Sequence, residues 1–227
     1  MALSSPPSSA QVQAAYCNQT GCLRRFFLPI LAMLLVSTGM ILGLSRIEIV
    51  QAETPPPTPS TDTSEVASTI APLFTPEILA WEEQILFWSE KYALDPNLIA
   101  TVMQIESCGY ILARSPAGAM GLFQVMPYHF SDGENPYDPS TNAKRGLIYL
   151  RQSLAIGGDP RMALAGYNGG ITGAQRPPQT WPKETHRYLY WGLAIYQDAQ
   201  QHLDHSSRLE EWLASGGASL CKLARDQ

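Results

Sequence analysis

Glu106 closes the apolar run LIATVMQI, Leu98 to Ile105, and a loop rich in Gly, Ala and Pro follows it directly. A carboxyl group in that position is costly unless it is paired, hydrogen-bonded or used. The C-terminal end of a helix disfavours negative charge, and Ile99, Val102, Met103 and Ile105 surround Glu106 with hydrocarbon. Both effects keep the proton on nearer neutral pH, which suits a general acid. An exposed helix-end Glu whose apolar neighbours face the other way fits these residues equally well. Later segments shift the balance. In SPAGAMGLFQVMP, Gly118 and Gly121 let backbone approach a ligand closely, and Gln124 offers an amide. GYNGG, at 166–170, joins the ring of Tyr167 to the amide of Asn168, and ETHRYLYW, at 184–191, adds hydroxyls such as that of Tyr188. One carboxyl among amides, aromatic faces and small residues suits a neutral ligand rich in hydroxyl groups.

These residues need a scaffold, and the punctuation of the chain supplies one. Thr75-Pro76, Asp95-Pro96, Asp138-Pro139 and Asp159-Pro160 each place an N-cap side chain before a proline suited to a first helical turn. Helical spacing follows in ILAWEEQILFWSEKYAL, LIATVMQIES, TNAKRGLIYLRQSLA and RMALAGYN. A last helical region is expected from about Lys183 to His205, with a short one near Arg208 to Ala214, after which glycines turn the chain back. No stretch alternates for long as a half-buried strand does, so the expected domain is mostly α.

Composition narrows the function. The formal net charge is −5 and no Lys/Arg cluster occurs, which argues against nucleic acid. His129, His186, His202 and His205 never approach Cys, Asp or Glu at a metal-site spacing, and no metal is expected.

The N-terminal part reads differently. Phe26 to Leu44 is uncharged and close to the roughly 20 residues that span a bilayer. Arg24 and Arg25 precede it, so the positive-inside rule leaves the N-terminus in the cytoplasm. The expected division is a leader at 1–23, a transmembrane signal anchor at 24–46, a Pro/Thr/Ser-rich flexible linker at 47–73 and one helical domain at 74–227. The protein is then single-pass in the cell membrane with its domain extracytoplasmic. It is secreted instead if a signal peptide is cleaved near Ala52. Cys17 and Cys22 fall on the cytoplasmic side, and Cys108 and Cys221 on the exported side, where one bridge can persist. Two buried free thiols are the alternative.

Four motifs in order carry a family resemblance: Glu106-Ser107, Gly121-Leu122-Phe123-Gln124, Gly166-Tyr167-Asn168 and Glu184-Thr185-His186-Arg187-Tyr188. The region from about Ile99 to Tyr188 resembles the soluble lytic transglycosylase (SLT) domain family, relatives of goose-type lysozyme that cleave peptidoglycan. Phe123 replaces the family's Met, Gly166 replaces its Ala, and Cys108-Gly109-Tyr110 departs from it. The resemblance implies a lysozyme-like helical fold and Glu106 as a single acid/base. It also implies substrate-orienting roles for Ser107, Gln124, Tyr167, Asn168 and Tyr188, with no cofactor. The expected partners are peptidoglycan glycan strands and, through the N-terminal helix, the membrane. The expected product carries 1,6-anhydromuramic ends. A hydrolytic muramidase would need a positioned water or a second carboxylate, for which Asp132, Glu134 and Asp138 are candidates. A non-catalytic wall-binding module is the remaining alternative.

Overall fold

The computed structural model describes residues 69–227. The expected leader, the expected anchor and most of the expected linker lie outside these residues. Among the described residues no helix is long and apolar enough to cross a membrane.

Nine α-helices make up the described domain: α1 (Pro76–Leu79), α2 (Glu82–Tyr92), α3 (Pro96–Glu106), α4 (Pro139–Gly157), α5 (Pro160–Gly169), α6 (Ile171–Ala174), α7 (Lys183–Gln200), α8 (Ser207–Trp212) and α9 (Ala218–Arg225). Short 3₁₀ turns occur at Pro127–His129 and Pro178–Thr180. Isolated antiparallel bridges, Arg114 with Met120 and Met120 with Val125, close the long loop after α3.

Three of the expected Asp-Pro starts form as anticipated. Asp95 accepts from the Asn97 and Leu98 amides, Asp138 from Thr141 and Asp159 from Met162. Thr75 does not cap α1. Its hydroxyl donates instead to Gln104 Oε1 at 3.1 Å. The single helix expected from ILAWEEQILFWSEKYAL is broken between Leu79 and Glu82. The break lets Trp81 stack on Trp88, with ring centroids 6.1 Å apart, and pack against the backbone at Gly109.

α3 lies at the centre of the domain. Every residue from Pro96 to Gln104 is buried, so its polar groups must find partners inside. Asn97 Oδ1 accepts from the Ala71 amide at 2.8 Å, and the Thr101 hydroxyl donates to the Asn97 carbonyl at 2.7 Å. Gln104 accepts from Thr75 and donates to Cys108 Sγ at 3.1 Å. Because Ile70, Ala71 and Leu73 belong to this core, the packed segment overlaps the C-terminal end of the expected linker. The reason is the bond from Ala71 to Asn97, which anchors the strand of chain leading into α1.

α5 packs between α4 and α7, and α7 also meets α3 and α8. Gly166 marks a close approach of α4 and α5. A Cβ there would collide with Ser153 Oγ, whose hydroxyl donates to the Ala163 carbonyl at 2.9 Å. That contact explains why Gly stands where the resembling family has Ala.

The C-terminal end departs most from expectation. α7 ends at Gln200 rather than near His205, because His202 takes a left-handed φ of 50°. After α8 the chain kinks at Gly216 (φ 124°) and forms one more helix, α9, that sequence periodicity did not suggest. α9 carries Cys221, which is disulfide-bonded to Cys108 across a sequence separation of 113 residues. Arg225 pairs with Glu77, and the Gln227 side chain bonds Gly109 and Ile111. The departure at Cys108-Gly109-Tyr110 is therefore where the C-terminal segment is attached.

Closing so long a ring removes roughly 4–5 kcal/mol of chain entropy from the unfolded state. Changing both cysteines to Ala should lower the unfolding free energy by an amount of that order. Identical urea midpoints for the bridged and Ala-substituted proteins would show that the clasp adds no stability.

Candidate functional site

Glu106 is the last residue of α3, and the chain turns away immediately after it. Cys108 adopts a left-handed φ of 50°, and its amide bonds back to the Met103 and Gln104 carbonyls at 3.0 and 3.1 Å. A non-glycine residue in that conformation costs on the order of 1–2 kcal/mol, and the disulfide at the same residue holds it in place. Ser107 is fully buried. Its hydroxyl donates to the Leu122 carbonyl at 2.7 Å and accepts from the Gly109 amide at 3.1 Å. It ties the end of α3 to the Gly121–Gln124 loop and lines neither cavity described below.

Asn142 on α4 clamps that loop from the other side. Its Oδ1 accepts from the Phe123 amide, and its Nδ2 donates to the Met120 and Pro136 carbonyls, all at 2.8 Å. A Cβ at Gly121 (φ 76°) would overlap this amide, so Gly121 serves the clamp. Phe123, where the family has Met, is fully buried edge-on against Trp88. Its carbonyl accepts from the Tyr167 hydroxyl at 2.7 Å. Gln124 takes a left-handed φ of 44° and uses Nε2 twice, on the Ala113 and Gly121 carbonyls. Its amide oxygen is what it can offer a ligand. Gly118 lies outside the lining of both cavities.

Two cavities meet at Asn168. The first, of about 210 Å³, contains Glu106 together with Ile105, Glu184, Arg187, Tyr188, Trp191 and Trp212. The second, of about 120 Å³, is lined by Gln124, Tyr128, His129, Arg145, Tyr149 and Tyr167, among others. Of the residues expected to act, Glu106, Asn168 and Tyr188 share the first cavity, and Gln124, Tyr167 and Asn168 share the second.

Burial pushes the Glu106 pKa up to about 8, eased by the Tyr188 hydroxyl and reinforced by the negative charge of Glu184. The Tyr188 hydroxyl faces the carboxyl. Even so, its geometry to every described group falls short of a well-formed hydrogen bond, and it is buried without a partner. The Trp191 indole N–H in the same cavity is in the same state. Burial and the Glu106 charge hold the Tyr167 and Tyr188 hydroxyls well above their usual pKa, so both remain donors.

The carboxylates singled out in the sequence do other work. Glu134 is held by two Arg145 bonds of 2.7 Å and by the Ser131 amide, which lower its pKa to about 2. Asp138 caps α4, and Asp132 lines neither cavity. The second carboxylate that does share a cavity with Glu106 is Glu184, which the sequence reading passed over. Glu184 and Tyr188 are four apart on α7, on one face of the helix, and that spacing was the available signal. His129 and Tyr149 were missed for lack of any pattern linking two separate segments. Among the described residues, the group close enough to share a metal ion is Glu77, Cys108 and Cys221. Its sulfurs are bonded to each other and its carboxylate to Arg225.

The family profile described as "Transglycosylase SLT domain" matches residues 83–187, which span Glu106, the first three motifs and the fourth as far as Arg187. The chain carries an SLT domain. A transglycosylase of Enterobacteria phage PRD1 is 40% identical over 112 residues, covering 48% of this chain and 40% of the phage protein. Membrane-bound lytic murein transglycosylase E of Buchnera aphidicola subsp. Acyrthosiphon pisum is 30% identical over 83 residues, 31% of this chain and 38% of that protein. The chain thus spans about two fifths of the length of these curated relatives. The X-ray structure of an inactive mutant of lytic transglycosylase Slt from Pseudomonas aeruginosa aligns with 56% of this chain and 25% of its own, at 21% identity and a TM-score of 0.46. Tyr188, Trp191 and Trp212, which help to enclose the acid, lie beyond the matched region.

A glutamate whose folded pKa is raised binds more protons folded than unfolded, so stability falls as pH rises between the two values. With the ordinary value at 4.5 and the folded one at about 8, the window is pH 4.5 to 8. Glu106→Gln removes the penalty. The variant should match the parent near pH 4 and exceed it at pH 8 by roughly 1–3 kcal/mol, less than the full shift because the cavity admits water. Urea unfolding at both pH values checks this, and a variant with no pH-dependent advantage would place the Glu106 pKa in the ordinary range.

Proposed function

We propose that the protein is a peptidoglycan lytic transglycosylase. It would cleave the β-1,4 bond between N-acetylmuramic acid and N-acetylglucosamine, with Glu106 as the single acid/base. The observation that carries this reading is a carboxyl protonated near neutral pH, in a cavity shared with Asn168 and Tyr188, within an SLT domain. Glu106 protonates the bridging oxygen as the bond breaks. The carboxylate left behind accepts the proton of the muramic C6 hydroxyl, whose oxygen closes a 1,6-anhydro ring on C1. The attacking group is tethered, so high effective molarity favours it over water. Tyr188, with an unused hydroxyl, and Asn168 orient the sugar at the acid. Gln124 acts through its amide oxygen, and Tyr167 stiffens the Phe123 carbonyl beneath the groove. Ser107 and Gly121 contribute by fixing the loop.

One observation favours a second reading. Glu184 faces the same cavity, and a second carboxylate there could position water, giving a hydrolytic muramidase. The location of the reaction also belongs to the proposal: an anchor at 24–46 holds the domain outside the membrane, where peptidoglycan is found.

Replacing Glu106 with Gln should reduce turnover of purified peptidoglycan by roughly 10²–10⁴-fold or more while the fold survives. Mass spectrometry of the released muropeptides should find 1,6-anhydromuramic ends. Near-normal turnover by folded Glu106→Gln protein would remove the assigned role, and reducing ends as the main product would install the hydrolytic reading.

A further inference from the structure

The 3₁₀ turn Pro127–His129 presents Tyr128, a residue 75% exposed, at the lining of the second cavity. An aromatic ring left so open beside a concave site is not explained by packing. It is also the outermost of a series of rings. Tyr128 lies 4.6 Å from His129, His129 lies 5.0 Å from Tyr149, and Tyr149 lies 5.9 Å edge-on from Tyr167. The inner end of the series, Tyr167, shares its cavity with Asn168, which also borders the cavity of Glu106. The outer end is in solvent. Asn168 lies on both cavities, so one extended ligand can pass from the acid to the outer rings without leaving the groove.

Charge selects the kind of ligand. Arg145 is the cation lining this cavity, and Glu134 takes its Nε and one terminal nitrogen in a two-point pair. A further bond from that nitrogen to Ser131 fixes the guanidinium against the loop. Burial and Arg145 hold the His129 pKa below its usual value, so the imidazole is neutral at neutral pH. A neutralised cation, an uncharged imidazole, an amide oxygen and tyrosine faces favour an uncharged hydroxylated ring over an anionic group.

Accepting the glycan-cleaving reading above, we infer that Tyr128 and His129 form a stacking platform for a sugar unit of the same strand beyond the cleaved bond. The C–H face of the sugar lies on the Tyr128 ring, and its hydroxyls reach Gln124 and Asn168. Tyr128 belongs to none of the four motifs. The platform makes affinity rise with strand length, because a short glycan occupies the acid's cavity alone.

The test is calorimetric titration of the full chain carrying Glu106→Gln with chitobiose through chitohexaose, with and without Tyr128→Ala or Tyr128→Phe. The Tyr128 protein should gain affinity with length. Tyr128→Ala should lose roughly three- to tenfold on the longer glycans and little on chitobiose, whereas Tyr128→Phe keeps its ring and should retain the gain. Equal affinities of the Ala and Tyr proteins at every length overturn the platform and leave the cleavage reading intact. A loss confined to Tyr128→Phe's missing hydroxyl, matching that of Ala, overturns stacking as its basis. Failure of all three proteins to bind any of these glycans overturns both readings.

Discussion

Much of the architecture follows from keeping a carboxyl group half-buried among apolar groups without giving it an opposite charge. The one charge that shifts Glu106 is that of Glu184, which has the same sign. The carboxyl therefore holds its proton, and the protein must stabilise a helix end that would otherwise open to water. α3 meets that requirement by being buried along nearly its full length, with each of its internal polar side chains satisfied. The Gln104 amide joins three parts of the problem, since it bonds Thr75 before α1 and contacts both sulfurs of the bridge.

Two clamps then fix what surrounds the acid. Asn142 gathers Met120, Phe123 and Pro136 with a single amide, while Ser107 fastens the same loop to the end of α3. The C-terminal segment supplies the other clamp. Its disulfide sits two residues past Glu106, and the segment it tethers includes Trp212, a wall of the acid's cavity. Gly217 lies flat against the Trp212 ring, where any Cβ would collide. Stability of the fold and shape of the site are in this way set by the same contacts.

What the sequence made legible was local in character. Asp-Pro pairs announced three helix starts because capping acts within three residues, and the acid stood out because its neighbours on one helix are apolar. The expected compartment of Cys108 and Cys221 favoured a bridge over two free thiols, and the two are disulfide-bonded. Thr75 was misread because a buried amide 29 residues away outcompeted the local cap. α9 was missed because glycines at 216 and 217 look like a stop, whereas here they kink the chain and pack on Trp212. Glu134 looked like a catalytic partner until Arg145, 11 residues on, was seen to hold it. Ser107 carries the family motif, but its hydroxyl is spent on the loop, a pairing across 15 residues that no local pattern announces.

The central claim is that Glu106 stays protonated through neutral pH because it is half-buried among apolar groups beside a like charge. Its titration can be followed directly by carbon NMR of protein labelled at the glutamate side-chain carboxyl carbon, with Glu106→Gln assigning the resonance. The account predicts one glutamate with a midpoint near the value of about 8 set by its surroundings. A Glu106 resonance titrating close to the ordinary 4.5 would contradict it.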